Sequence, residues 1–159
     1  NIVWFEEALP PDDIGGFVEL TRTSPVPISG GEVLTRRQSF LPWLKGRAVD
    51  IIQPDVTKCG GLSEFRRIAQ MAQDHNIQVV PHGWNTAIGL AADLQISAFL
   101  PNATYVEYLT PCAYIDELTT DPFKLDNDGC LAISQAPGLG IDIDEDRLNR
   151  FCPERIEFR

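Results

Sequence analysis

Short apolar runs alternate with amphipathic stretches along the first two thirds of the chain. Apolar runs at residues 2–5, 26–29, 49–52 and 77–80 predict strands, and each is followed by residues at helical spacing. The clearest helical stripe is the i, i+3, i+4, i+7 series of Phe65, Ile68, Ala69 and Ala72. A strand that ends on a polar residue and is followed by a helix is the unit of a (β/α)-barrel. The repeat therefore predicts an α/β chain of the barrel class, and a fifth strand is expected at residues 104–108.

Local signals predict where the helices begin and end. Residues 10–13 end the first strand and provide a cap for the first helix. Thr35 and Ser63 are suitable N-caps for the second and third helices, and Gly46 is a suitable stop for the second. Asn76 suits the left-handed position that follows the end of the third helix.

The pattern changes after residue 110. Residues 123–133 have the alternation of a hairpin, with Asp128–Gly129 as the turn signal, and Asp144 is placed to cap a short helix through Phe151. The chain is therefore predicted to divide into part of a βα barrel at residues 1–110 and a C-terminal return segment at residues 111–159.

Composition and charge exclude several classes of function. The chain has 159 residues, of which 43% are hydrophobic and 23% charged, so it can bury a single core. A net charge of −10 argues against nucleic acids and anionic membranes as partners, because both require a basic face. No apolar run approaches the roughly 18 residues of a membrane span.

Cysteine usage and the first residues favour a cytoplasmic location. The four cysteines form no CxxC pair, and scattered cysteines are typical of a reducing compartment. The first residues lack the basic start and long apolar stretch of a signal peptide. The chain starts without methionine and inside a predicted strand, so we expect it to be part of a longer protein.

A polar residue stands at the end of each predicted strand. These residues are Glu6, Glu32, Asp55, His82 and Glu107, and successive residue numbers differ by 26, 23, 27 and 25. One βα unit has about that length, since a βαβ element needs roughly 30 residues. The carboxyl ends of barrel strands meet at one face. Four carboxylates and one imidazole are therefore expected to converge there.

This set has the chemistry of a metal ion plus a base. Glu6 and Glu32 are suitable ligands for Mg²⁺, which prefers carboxylate oxygens. His82 is a candidate general base, and Asp55 on the neighbouring strand could hold it in one tautomer. Glu107, if protonated, could donate a hydrogen bond to a substrate oxygen.

Each residue also has a simpler interpretation. The two glutamates could be solvated loop acids, His82 could make a single structural hydrogen bond, and Glu107 could form an ion pair at the barrel rim. Lys58 is expected to pair with a nearby carboxylate. Trp84 could wall the pocket and contact substrate, and core packing is the alternative.

The motifs together resemble the enolase superfamily, in its mandelate racemase and muconate lactonizing subgroup. The resemblance covers essentially the whole chain and is carried by five short motifs at residues 4–7, 31–32, 53–61, 80–84 and 105–107. It implies that the chain provides strands four to eight of an enolase-type barrel, followed by a segment that packs on a capping domain. The capping domain, the first three strands, the third metal carboxylate and a second-base lysine motif do not match any part of these residues.

The resemblance also assigns roles. It implies that Glu6 and Glu32 are metal ligands and that His82 is the base of a dyad with Asp55. Glu107 is the acid that hydrogen-bonds the substrate carboxylate. The implied reaction begins with removal of the proton α to a carboxylate, and Mg²⁺ stabilises the enediolate.

With a His–Asp dyad, the implied outcome is elimination of water from a sugar acid. A racemase or epimerase of a 2-hydroxy acid is the first alternative. The second is a non-catalytic partial barrel that binds a partner through open strand edges. For the complete protein, a sugar-acid substrate and a homo-oligomer are expected.

Overall fold

A parallel sheet organises the protein. The computed structural model describes residues 1–152, 154 and 156. Within them, four short strands lie in the order in which they occur along the chain, and each pairs in parallel with the next. The strands are β1 (Phe5–Glu6), β2 (Ile28–Gly30), β3 (Ile51–Ile52) and β4 (Gln78–Val79). Sequential parallel strands joined by helices confirm the predicted barrel-type α/β class.

Helices connect successive strands and continue after the sheet. They are α1 (Ile14–Thr23), α2 (Arg36–Gly46), α3 (Leu62–Asp74), α4 (Ala87–Phe99), α5 (Ala113–Asp116) and α6 (Glu145–Phe151). The short helix α5 lies outside the predicted elements. No helix in the described part of the chain is long and apolar enough to cross a membrane.

Several predicted helix ends are confirmed by capping geometry. The Asp13 carboxylate accepts a hydrogen bond from the Gly16 N–H at 2.9 Å, which starts α1. Asp144 caps α6 in the same way through the Arg147 N–H at 3.0 Å. Asn76, just past the end of α3, has the left-handed φ of 54° that the sequence predicted.

Two other helix ends differ in detail from the prediction. Helix α3 is capped by Gly61 rather than Ser63, because the Gly61 carbonyl accepts from the Phe65 N–H at 2.9 Å, so Ser63 already lies inside the helix. Helix α2 ends at Gly46 as predicted, but the left-handed position is taken by the next residue, Arg47, with a φ of 51°. The Arg47 N–H bonds back to the Leu44 carbonyl, which closes the last turn without glycine.

The predicted fifth strand at residues 104–108 does not form. A single parallel bridge joins Val79 to Ala103, where the Val79 N–H donates to the Asn102 carbonyl at 3.0 Å. Farther along, the Gly83 N–H donates to the side chain of Glu107 instead of to a backbone carbonyl. Pro81, which lies between Val79 and Gly83, has no N–H to donate, so the ladder stops after one bridge. The predicted hairpin at residues 123–133 is confirmed in short form, by one bridge between Leu125 and Leu131.

The core lies between the sheet and the helices packed on it. The predicted stripe of α3 is confirmed, since Phe65, Ile68, Ala69 and Ala72 are fully buried. A second cluster of Leu90, Leu94 and Ile115 joins α4 to the segment after residue 110. Burying both clusters holds α3 and α4 against the sheet, which in turn fixes the strand ends.

One buried residue of α4 is acidic. Asp93 is fully buried, and neither carboxylate oxygen has a hydrogen-bond partner among the described residues. Burial, followed by the nearby charges of Asp55 and Glu107, raises the pKa of Asp93 to about 8. Asp93 is therefore protonated at neutral pH, and the sequence offered no signal for it beyond an acid within an apolar helix.

Replacing Asp93 should stabilise the protein in a pH-dependent way. An unfolded aspartate ionises near pH 3.9, whereas folded Asp93 holds its proton to about pH 8. Folding then takes up a proton between these values, and Asp93 costs more stability as the pH rises through this window. We expect Asp93→Asn to be stabilised relative to wild type by about 5 kcal/mol at pH 8.5, with little difference at pH 4.

Urea unfolding at both pH values would measure this difference. Asp74→Asn, an exposed substitution at the end of α3, is the control and should change stability little at either pH. An equal effect of Asp93→Asn at pH 4 and pH 8.5 would show that folding does not raise the pKa of Asp93.

Candidate active site

The sheet places the predicted polar residues along one edge. Glu6 ends β1, Glu32 follows β2, Asp55 follows β3 and His82 follows β4. Because the strands are parallel and in sequential order, their carboxyl ends lie side by side. Glu107 reaches the same edge from the segment after β4, where it contacts Gly83.

Asp55 and His82 form the centre of this cluster. The Nδ1 atom of His82 lies 2.9 Å from Oδ2 of Asp55, and both side chains are buried. The other oxygen of Asp55 accepts from the Thr57 N–H at 2.7 Å and from the Thr57 hydroxyl at 2.6 Å. The backbone N–H of His82 donates to the Pro54 carbonyl at 3.1 Å. These bonds hold the carboxylate and the imidazole in one relative orientation.

The pair is arranged to keep Asp55 ionised. Burial opposes the charge, but hydrogen bonds from His82 and Thr57 outweigh it and lower the pKa of Asp55 to about 2. The bond to Asp55 raises the pKa of His82, against the effect of burial, and the charges of Glu32 and Glu107 raise it further. The imidazole of His82 is therefore more basic, because the fixed carboxylate of Asp55 is hydrogen-bonded to it.

Glu32 and Lys58 complete the surroundings of the dyad. Oε2 of Glu32 lies 3.1 Å from Nε2 of His82, so carboxylates contact both ring nitrogens. Lys58 pairs with carboxylates as predicted, with Nζ 3.5 Å from Oδ2 of Asp55 and 3.7 Å from Oε1 of Glu32. The ammonium group offsets part of the negative charge that these acids bring together.

Glu107 is held from two sides. Its Oε2 accepts from the Gly83 N–H at 2.8 Å and its Oε1 accepts from Nε2 of Gln53 at 3.1 Å. Burial raises the pKa of Glu107, the bond from Gly83 opposes this, and the charge of Glu6 adds to the rise. A raised pKa favours a carboxyl group that can donate a hydrogen bond.

Gln53 is the site residue that sequence reasoning missed. Its Nε2 donates to Oε2 of Glu6 at 2.6 Å as well as to Glu107, and the side chain is 1% exposed. The available signal was a polar residue directly after the apolar run of β3. Successive side chains of a strand point to opposite faces, so Gln53 faces away from the side on which Ile52 packs. Trp84, also a predicted site residue, is 72% exposed beside His82 and Gly83.

The metal-binding potential of this edge is limited to two carboxylates. Within the described residues, no group of three or more histidine, cysteine, aspartate or glutamate side chains is arranged to hold a metal ion. Glu32 contacts His82 and Lys58, while Glu6 accepts from Gln53 and, at 3.1 Å, from Nε1 of Trp4. Their oxygens are of the kind that Mg²⁺ prefers, but further ligands are needed for a complete site.

As a whole, the arrangement suits proton transfer at a carbon next to an anionic group. A histidine backed by an ionised aspartate can accept a proton, and a carboxyl group of raised pKa can bind an oxygen that gains charge. Cationic or metal assistance would balance the several carboxylates present.

Curated proteins similar to this chain act on sugar acids. The chain is 36% identical to D-galactarolactone cycloisomerase of Agrobacterium fabrum, 32% to D-xylonate dehydratase of Haloferax volcanii and 31% to L-talarate/galactarate dehydratase of Salmonella typhimurium. These matches cover 95–99% of this chain but only 37–42% of the relatives. The chain thus spans about two fifths of their length.

Solved structures give the same family. The 3,6-anhydro-D-galactonate cycloisomerase from Zobellia galactanivorans superposes with a TM-score of 0.87 at 39% identity, covering 95% of this chain and 43% of that one. A mandelate racemase/muconate lactonizing enzyme from Sulfitobacter sp. gives 0.84 at 33% identity, covering 91% and 36%. The model of the enolase C-terminal domain-like family matches residues 1–147. The chain therefore belongs to the enolase C-terminal domain-like family, among the mandelate racemase/muconate lactonizing enzymes.

Proposed function

We propose that this chain carries the dyad of an acid-sugar dehydratase, which removes the proton α to a carboxylate and eliminates water. The observation that carries the proposal is the buried contact of 2.9 Å between His82 and Asp55, with Glu107 at the same edge. Two of the curated relatives are named as sugar-acid dehydratases, which supports this substrate class.

His82 takes the α-proton of the substrate in this mechanism. Asp55 keeps the ring oriented and stabilises the imidazolium that forms, since its own pKa is about 2 and it stays ionised throughout. The protonated His82 is then positioned to assist departure of the β-hydroxyl group as water, which restores the neutral ring.

Glu107 hydrogen-bonds the substrate carboxylate. The Gly83 N–H and Gln53 amide hold its two oxygens, so its orientation is set before substrate arrives. Trp84 directly follows Gly83 in the chain and is exposed, and in this proposal its ring provides an apolar wall for the carbon chain of the substrate.

Glu6 and Glu32 would hold Mg²⁺ together with ligands from outside the described residues. Bound Mg²⁺ would offset the charge that develops on the substrate carboxylate as the proton leaves. In the present arrangement Glu32 contacts Nε2 of His82 at 3.1 Å. A change of partner by Glu32 would expose the nitrogen that accepts the proton.

The chain would then form strands four to eight of an enolase-type barrel. Its strands β1 to β4 and the segment carrying Glu107 correspond to this part, and the described residues after 110 would pack against a capping domain. The relatives are more than twice as long as this chain, which supports the proposal.

Cycloisomerisation is the second candidate. Two of the similar proteins are named as cycloisomerases, at 36% and 39% identity. Proton transfer next to a carboxylate is compatible with both outcomes, so analysis of the product separates them: a dehydratase yields a keto acid and water, whereas a cycloisomerase yields an isomer of its substrate.

Replacing His82 should abolish turnover. We expect His82→Asn to lower kcat on a sugar acid by about 100- to 10,000-fold, because the proton acceptor is lost. The full-length protein would be assayed with Mg²⁺. His75→Asn, at the only other histidine of the chain, is the control and should retain activity. Full activity of His82→Asn would refute the proposed role.

Mg²⁺ should stabilise the full-length protein through Glu6 and Glu32. At a concentration of 100 Kd, binding to the folded state adds about 2.7 kcal/mol to the free energy of unfolding. We expect Glu32→Gln and Glu6→Gln to reduce this gain, and Glu19→Gln, on the exposed face of α1, to preserve it.

A control with NaCl at the same ionic strength as the Mg²⁺ solution distinguishes specific binding of Mg²⁺ from screening of the protein's charges. An equal gain in all three variants and wild type would place the metal elsewhere.

A further inference from the structure

The least expected feature of the site is an amide between two carboxylates. Gln53 follows β3, in the middle of the sheet, while Glu6 lies on β1 at one edge and Glu107 lies beyond β4 at the other. Nε2 of Gln53 reaches both, at 2.6 Å and 3.1 Å. The amide therefore links the two ends of the site across strands β2 and β4.

The chemistry of the amide suits this position. A primary amide nitrogen has two N–H bonds, so one nitrogen can donate to two acceptors. Rotating the amide by 180° would place its oxygen against both carboxylates, which is repulsive, so only the observed orientation is favourable. Glutamate at this position would add a third negative charge, and lysine would add a cation.

The surroundings of Gln53 hold it in place. The side chain is 1% exposed, and its backbone N–H donates to the Gly30 carbonyl at 2.9 Å. Oε1 has no hydrogen-bond partner in the described part of the chain, so both hydrogen bonds of the side chain go to the carboxylates. Burial strengthens these bonds, because water does not compete for the donors.

We propose that Gln53 is a positioning residue, which fixes the carboxylate of Glu107 relative to that of Glu6. The inference rests on the proposed function, in which one carboxylate binds metal and the other binds substrate. Loss of the link would leave Glu107 held by Gly83 alone, free to rotate away from the substrate.

A double-mutant cycle tests the link itself without any assay of activity. Gln53→Met removes both donors at similar length, and Glu107→Gln removes the charge that one of them faces. We expect the shift in urea midpoint caused by Gln53→Met to be clearly smaller in the Glu107→Gln background, since residues that share a hydrogen bond are not additive. Additive shifts would overturn the proposal.

Ser29→Ala is the matched control. Ser29 is fully buried on the neighbouring strand β2, and its hydroxyl has no partner among the residues described. Its effect on the midpoint should be the same in the wild-type background and in the Glu107→Gln background. Equal coupling of Ser29 and Gln53 to Glu107 would indicate a general loss of packing and would also overturn the proposal.

Kinetics of the full-length protein with Mg²⁺ and a sugar acid test the positioning role. We expect Gln53→Met to lower kcat by about 10- to 100-fold, as misplacement of a catalytic group does, and to change KM much less. In the Glu107→Gln background, Gln53→Met should lower kcat little further. Wild-type kcat and KM in Gln53→Met would overturn the role even if the stability coupling were found.

The stability cycle and the kinetics together distinguish failure of the proposed function from failure of the inference about Gln53. If the wild-type protein turns over no sugar acid, the proposed function fails, and the stability cycle alone decides whether Gln53 links the carboxylates. If turnover depends on His82 but not on Gln53, the proposed function stands and the inference about Gln53 is wrong.

Discussion

Parallel pairing of four short strands determines where Glu6, Glu32, Asp55 and His82 of the site lie. The registers of Ser29 with Ile51 and of Ile52 with Val79 leave the residues after each strand at the same level. Each strand is only two or three residues long, so the helices packed outside the sheet supply the burial that keeps this register. A slip of one residue would turn the side chains after a strand to the other face.

The site is shaped by its excess of negative charge. Glu6, Glu32, Asp55 and Glu107 converge in a chain whose net charge is −10. Different groups stabilise these acids: His82 and Thr57 hold Asp55, Lys58 faces Glu32, and the amide of Gln53 serves the remaining two. Burial raises the pKa of Glu107, whereas the hydrogen bonds from His82 and Thr57 outweigh burial and lower the pKa of Asp55, so two carboxyl groups of one site can take different roles.

Much of the fold could be predicted because it depends on local patterns. The stripe of α3, the caps at Asp13 and Asp144, and the left-handed Asn76 follow from spacing and side-chain chemistry within a few residues. The error at Ser63 is a local shift of two residues at a helix start, whereas the error at residues 104–108 lies where a distant contact overrode a local signal. Residues 104–108 have strand-like composition, but the Glu107 side chain takes the N–H of Gly83 that a backbone carbonyl would have bonded.

By itself, the sequence determined the βα order, the polar residue after each strand and the family resemblance, because these are properties of spacing along the chain. Only the tertiary structure decided which polar groups meet. Glu32 contacts His82, Gln53 bridges Glu6 and Glu107, and Asp93 is buried without a partner in the described chain. Such contacts join atoms that are tens of residues apart, and their distances depend on how the strands pack side by side rather than on any local pattern.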